Sequence, residues 1–310
     1  MTITREPQVE PAAAASNVGA HMLLVLGVFA CSTAVILIKA STLPAAILAS
    51  YRLAVAAVLL TPTFVVARRA AGMSIASLLA RSAPGALFLA GHFITWAWGA
   101  RATNAANASL IVNLSPVAMP VILLLTGSEL ISRREIVGTL IAVAGVLVLC
   151  MKGLRFDPKT APGDAVCFIS MLLFTCYLAV ARRGRGDRSI WLYTVPLYWV
   201  ASAVCLVVAV IGGVRPLLPS SGREGLLILG LGVIPTVIGH SILNRCMQGL
   251  RAQTVMVFNL CQFIFARLLT WLLWNEIPAP RLWVASVLVI AGVLTTLRGP
   301  TAVPADEVPE

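Results

Sequence analysis

Two arginines and two histidines stand inside long apolar stretches of the sequence, where an ionisable side chain is costly to bury. Arg52 lies well inside one such stretch, roughly 13 Å along a helix that rises about 1.5 Å per residue. Arg267 stands closer to the end of its stretch, whereas His92 and His240 stand near the middle of theirs. A guanidinium can bind a carboxylate or phosphate, and an imidazole can exchange a proton near neutral pH. The four residues therefore predict an anion site, with the histidines as candidates for coupling to protons.

Each of these side chains also has a purely structural interpretation. Arg52 and Arg267 could bond carbonyl groups at a helix end or extend toward the membrane surface. A lone buried histidine commonly bonds a neighbouring helix. The histidines, however, recur after glycine, as Gly91-His92 and Gly239-His240. That recurrence favours a functional role for the pair.

Neutral and aromatic residues in the same stretches complete the candidate site. Tyr51, Trp96 and Tyr177 could form the wall of a cavity, while Asn113, Asn244 and Gln262 could line it or simply hold helices together. The predicted substrate-binding residues are therefore Tyr51, Arg52, His92, Trp96, Asn113, Tyr177, His240, Asn244, Gln262 and Arg267.

Acidic residues are absent from the middle of every apolar stretch and stand only near their ends. A protein that exports lipophilic cations would normally bury a carboxylate that exchanges protons for its substrate. A cavity lined by arginine and histidine instead favours an anionic or zwitterionic solute.

The elements that position these residues are predicted to be membrane-spanning helices. Of 310 residues, 59% are hydrophobic and only 11% are charged, against about 25% charged in soluble domains. A span needs about 20 apolar residues, and the alternation typical of membrane strands is absent. Ten apolar runs lie near residues 21–40, 43–67, 84–103, 105–126, 133–151, 162–181, 190–213, 225–244, 252–274 and 281–298. The prediction is an all-α integral membrane protein with ten transmembrane helices, not a soluble enzyme.

The basic residues punctuate the apolar runs, so the net charge of +11 indicates membrane topology and not nucleic-acid binding. The seven cysteines form no CxxC pair or Cys/His cluster, which predicts neither disulfides nor a metal or other cofactor. With the N-terminus inside, thirteen Lys/Arg residues fall on the cytoplasmic side and eight on the other. This bias predicts an inner-membrane protein with both termini in the cytoplasm. The expected oligomeric state is a monomer or a homodimer. Residues 1–20 and 299–310 are predicted to be disordered.

An internal repeat organises the chain. Ser128-Glu129 and the run Val143 to Leu147 return as Asn275-Glu276 and Ile290 to Leu294, at an offset of 147 residues. The repeat predicts two five-helix units, residues 21–151 and 162–298, with a linker at 152–161. Because five is odd, the second unit must cross the membrane in the opposite sense, an arrangement typical of alternating-access transporters. Glu129 and Glu276 are expected to cap helices or form ion pairs at the ends of the bundle, beside Arg134 and Arg281.

Several short motifs occur in a specific order along nearly the whole chain. They are Gly91-His92-Phe93 with Trp96, the run Ala105 to Val112, Ser115-Pro116-Val117, Gly163-Asp164, Tyr177, Ala181-Arg182-Arg183, Pro235, Gly239-His240 with Asn244, Trp271 and the two repeat endings. In these motifs the sequence resembles the EamA-type transporters of the drug/metabolite transporter superfamily. The resemblance implies a ten-helix inverted-repeat fold and movement of small organic solutes, amino acids among them.

The sequence departs from that family pattern in two helices. Cys31-Ser32 stands where Trp-Gly is often found, Gln262-Phe263 replaces Glu-Pro, and Arg267 replaces a small residue. Coupling schemes that need the missing glutamate therefore do not carry over.

The function predicted from the sequence is alternating-access transport of a small carboxylate-bearing metabolite, such as an amino acid or derivative. A multidrug exporter of lipophilic cations is the main alternative. A membrane-embedded enzyme would show acidic metal-binding motifs, and a helper subunit would lack an internal cavity.

Overall fold

The computed structural model describes residues 11–103, 105–127, 129–154, 157–182, 189–215, 219, 221–275 and 277–297, and every regular element within them is helical. The first half contains α1 (Pro11–Ser32), α2 (Ala34–Ala40), α3 (Ala45–Ala71), α4 (Ile75–Ala102), α5 (Ala105–Val112), α6 (Ser115–Thr126) and α7 (Arg133–Cys150). The second contains α8 (Ala161–Ala181), α9 (Trp191–Ile211), α10 (Gly222–Leu231), a π-helical segment (Gly232–His240), α11 (Ser241–Gly249), α12 (Ala252–Asn259), α13 (Gln262–Trp274) and α14 (Arg281–Leu297).

Seven helical stretches of the described chain are long and apolar enough to cross a membrane. They are Val18–Ile38, Ala45–Ala71, Asn107–Thr126, Ala161–Ala181, Trp191–Ile211, Gly222–Gly249 and Ala252–Leu273. The other three predicted spans are also helical, as α4, α7 and α14. Helix α7 opens with three charged residues and α14 has 17 residues, so each carries a shorter apolar stretch. The protein is therefore an all-helical, multi-pass membrane protein, and the count of ten spans stays a prediction.

The first helix starts earlier than the sequence predicts. Helix α1 begins at Pro11, so residues 11–20 are helical where we predicted disorder. The reason is the run Ala12 to Ala15, since alanine has the highest helix propensity. Residues 1–10, Glu276 and the predicted tail at 299–310 lie outside the described residues.

Helices from the two halves pack directly against each other. Helix α7 packs along α14, α4 lies against α8 and α9, and α3 lies against α9. Glycine permits the closest of these contacts, because a Cβ on Gly138 would stand 2.6 Å from the carbonyl oxygen of Gly292. A Cβ on Gly145 would likewise stand 2.8 Å from the carbonyl oxygen of Ala285. These close approaches are the small-residue packing that membrane helices use in place of hydrophobic burial.

Two interrupted helices occupy equivalent places in the halves. Helix α5 ends at Val112 and α6 begins at Ser115, while α12 ends at Asn259 and α13 begins at Gln262. These bounds differ by 147 residues, which is the offset of the sequence repeat. At each interruption the backbone makes i to i−3 hydrogen bonds, from Leu114 to Ile111 and from Cys261 to Phe258. A tightened turn of this type bends a helix without breaking it.

A buried ionic network joins the two halves at one end of the bundle. Arg182 pairs with Glu129 at 2.6 Å, and Arg251 pairs with Glu129 at 3.2 Å and with Glu135 at 2.6 Å. The hydrogen bond from Arg251 to Glu135 raises the pKa of its guanidinium, despite partial burial. Glu129 therefore forms the expected ion pairs at the end of the bundle, but with partners from the second half.

Candidate functional site

A cavity of about 520 Å³ opens among helices of both halves. Its lining extends from Arg52 and His240, within their helices, to residues near helix ends, including Ile38, Ala100 and Arg281. The ionic network lies elsewhere, since none of its four residues lines the cavity. The cavity therefore extends from the interior of the bundle toward helix ends that are distinct from the ionic network.

A proline in the π-helical segment creates the hydrogen-bond acceptor for Arg52. Pro235 has no backbone N–H, so the carbonyl of Leu231 loses its usual helical partner. The hydroxyl of Thr236 donates to that carbonyl instead, at 2.7 Å. The same hydroxyl oxygen accepts hydrogen bonds from Nε and Nη2 of Arg52, at 3.0 and 2.9 Å. A helix irregularity thus supplies the acceptor that holds the guanidinium, as is common at functional sites.

The other contact of Arg52 is also neutral. Its guanidinium carbon lies 4.1 Å from the ring centroid of Phe93, a cation–π geometry. The side chain is only 4% exposed, and no aspartate or glutamate is found among the described residues that line the cavity. A buried cation without a carboxylate partner favours an anionic ligand, because desolvation of an unpaired charge costs several kcal/mol.

The two histidines line the cavity within one aromatic cluster. His92 approaches Phe174 with ring centroids 4.8 Å apart, and His240 stands edge-on to Phe93 at 5.1 Å. Their hydrogen bonding differs. Nδ1 of His92 lies 2.9 Å from the hydroxyl of Ser170, whereas Nδ1 of His240 is buried without a hydrogen-bond partner among the described residues.

Four more of the predicted residues line the cavity: Trp96, Asn113, Gln262 and Arg267. The amide of Asn113 donates to the carbonyl of Ser109 at 2.7 Å, and the amide of Gln262 donates to Asn259. Both amides lie at the interrupted helices, so the tightened turns bring polar groups to the cavity wall.

Three predicted residues do not line the cavity. Tyr51 packs beside a small apolar cluster that includes Leu48. Tyr177 and Asn244 are fully buried, and the Tyr177 hydroxyl and both polar atoms of the Asn244 amide make no well-formed hydrogen bond within the described chain. His240 connects them to the cavity, because its ring lies 6.0 Å from that of Tyr177. Two buried polar groups that interact with each other therefore lie behind the cavity.

The sequence did not single out several residues that contribute to the site. Thr236 looks like one of many small polar residues, although Pro235 before it marks the irregular turn. Arg281 was expected at the end of the bundle, and the sequence did not indicate that it also lines the cavity. Phe174 had no distinguishing signal, since aromatic residues are common in apolar runs.

Comparison with known proteins identifies the family. The sequence model of the EamA-like transporter family matches residues 18–151 and 161–298. The chain belongs to the EamA-like transporter family. It is accordingly a membrane transporter, and at the level of the family a non-enzyme.

Two relatives and one solved structure are similar to this EamA-like protein. The pseudopaline exporter CntI of Pseudomonas aeruginosa is 26% identical over 89% of this chain and 95% of its own length, in strains UCBPP-PA14 and PAO1. The uncharacterized transporter YyaM of Bacillus subtilis is 25% identical over 64% of this chain and 66% of its own. A crystal structure of a protein with 17% identity superimposes with a TM-score of 0.75, over 90% of this chain and 96% of its own. That likeness concerns the fold.

Proposed function

We propose that this EamA-like protein moves a small carboxylate-bearing metabolite across the inner membrane by alternating access, with the cavity as its binding site. The observation that carries the proposal is Arg52, a buried cation whose contacts are the hydroxyl of Thr236 and the ring of Phe93. A substrate carboxylate would supply the missing anion through a charge-assisted hydrogen bond. The exporter of pseudopaline among the relatives favours movement out of the cell.

Two features support alternating access between inverted five-helix units. The interrupted helices recur at the repeat offset, with Asn113 and Gln262 in equivalent turns that both line the cavity. At another place the ionic network of Arg182, Arg251 and the two glutamates ties the halves together. We propose that the cavity faces the outside, as the Lys/Arg bias suggests, and that the network holds the cytoplasmic end closed.

The test is counterflow in liposomes that contain the purified protein. Labelled amino acids and organic acids are offered in turn, with the lipophilic cation tetraphenylphosphonium alongside. We expect saturable exchange of a carboxylate-bearing solute that falls at least about tenfold in Arg52→Gln, because a charge-assisted bond contributes about 1.5–3 kcal/mol. Arg69→Gln, an exposed arginine on the same helix, should leave exchange unchanged. Exchange of the cation alone would favour the multidrug alternative, and exchange of nothing would favour a helper subunit.

The residues behind the cavity give a second prediction. We propose that Tyr177 and Asn244 contact substrate in the other state of the transporter, in which the binding site opens to the opposite side of the membrane. Asn244→Leu should then abolish exchange with only a small loss of thermal stability in detergent, because the amide makes no well-formed hydrogen bond and its interaction is with the neighbouring Tyr177 hydroxyl.

A bonded amide provides the control for Asn244. Gln253 is equally buried but donates to the carbonyl of Pro116 at 2.8 Å and to the hydroxyl of Thr139 at 2.6 Å. Gln253→Leu should lower the melting temperature. If Asn244→Leu lowers it as much, Asn244 has a structural role and the proposal for it is wrong.

A further inference from the structure

Positive charge lines the cavity at two depths. Arg52 stands in α3 seven residues after Ala45, about 10 Å from the helix start at about 1.5 Å per residue. Arg281 is the first residue of α14 and lines the same cavity. Arg267 lines it as well. The cavity therefore has one arginine deep in the bundle and another close to a helix end.

Neighbouring contacts locate Arg281 at the end of the bundle where α3 begins. The antiparallel pairing of Gly138 with Gly292 and of Gly145 with Ala285 brings the start of α14 to the end of α7. Cys150, the last residue of α7, and Ile38, near the end of α2, both line the cavity. The mouth of the cavity is consequently at this end, with Arg52 below it.

The position of Arg281 opposes the stability of its own helix. The N-terminus of a helix carries a partial positive charge, so a cation is unfavourable in the first turn. Helix α14 has 17 residues, enough for this charge to be substantial. Arg281 and the end of the helix thus add their positive potentials at the mouth. Such an arrangement attracts anions and does not serve to cap the helix.

An amino acid has one carboxylate, which could pair with Arg52 but would leave Arg281 at the mouth without a complementary group. Its ammonium would meet no carboxylate among the described lining residues and would be repelled by Arg281. A solute with a second carboxylate could bind Arg281 at the mouth of the cavity as well as Arg52 deeper in the bundle. The difference in depth requires several bonds between the two carboxylates.

We propose that the substrate is a flexible solute with at least two carboxylates, one bound by Arg52 and the other by Arg281. This inference rests on the proposed transport of a carboxylate-bearing metabolite, and narrows it to dicarboxylates and larger polycarboxylates with separated charges.

The experiment measures binding to the full-length protein in detergent by isothermal titration calorimetry. The probes are octanedioate, its monoamide, which keeps one carboxylate, and the neutral diamide. We expect octanedioate to bind at least about tenfold tighter than the monoamide, and its affinity to fall more steeply with ionic strength. Arg281→Gln should remove that difference while preserving the binding of the monoamide, whereas Arg52→Gln should weaken both.

The control is Arg223→Gln, which removes an exposed arginine near the start of α10 that is not part of the cavity lining. It should leave all affinities unchanged. Equal binding of octanedioate and its monoamide would contradict recognition of a second carboxylate, and would leave the proposed function intact. An unchanged preference in Arg281→Gln would also overturn the inference, because the second carboxylate would then not be bound by Arg281. Equal binding of the neutral diamide, or binding of no probe, would contradict the proposed function itself.

Discussion

Arg251→Met should lower the free energy of unfolding by about 3–5 kcal/mol, the usual effect of removing one partner of a buried ion pair. Arg251 is the partner of both Glu129 and Glu135, and the side chain of Glu135 is 0% exposed. The variant leaves the Glu135 carboxylate buried, with bonds from Ser132 as its remaining described contacts. Unfolding in a denaturant series at fixed detergent concentration measures the loss.

The exposed Arg245, in the preceding helix α11, provides the matched control. Arg245→Met removes the same charge and should change stability by less than about 0.5 kcal/mol. A second variant tests the cause, because Glu135→Gln combined with Arg251→Met should recover part of the loss. Equal effects of Arg251→Met and Arg245→Met would mean that the network contributes nothing to stability.

Gly292→Val should destabilise the protein by about 3 kcal/mol, the upper part of the range for overpacking. A Cβ at Gly292 would meet the Cβ of Ala142 at 2.7 Å and its backbone nitrogen at 2.8 Å. Backbone atoms cannot move aside as a flexible side chain can. The helices α7 and α14 would therefore have to separate along their contact, and a fall in the melting temperature would report it.

Gly225→Val is the control, since a Cβ on Gly225 in α10 meets nothing within 4 Å. Its stability should stay near that of the unchanged protein. If both valine variants behave alike, the loss comes from helix propensity and the close contact of α7 with α14 is not important.

The helices could be predicted from the sequence because lipid imposes long apolar runs. The bounds of α8, α12 and α13 fall within a few residues of the predicted runs. The same apolar environment leaves no signal in the sequence for the direction in which a side chain points. A helix that is apolar on every side has no amphipathic stripe, so Tyr177 and Asn244 could not be distinguished from His240 by sequence. The structure separates them, since His240 lines the cavity and the other two lie behind it.

Contacts between distant residues were beyond prediction for a different reason. The bond from Arg52 to Thr236 joins residues 184 positions apart, and nothing in either stretch identifies the other. Glu129 illustrates the same difficulty, because its partners Arg182 and Arg251 stand 53 and 122 positions further along the chain. The presence of intramembrane arginine was readable from the sequence, but its partners depend on the tertiary fold.

The glycine contacts between the halves have a consequence for how the protein is made. The surfaces of Gly85, Gly99 and Gly138 are covered by Tyr193, Gly163 and Gly292, all of which are synthesised later. When the ribosome has completed α7, the first half therefore stands in the bilayer without the helices that cover it. Its final packing must wait for residues near the C-terminus to enter the membrane. A chain truncated after the linker should consequently be recognised by membrane quality control as unfinished.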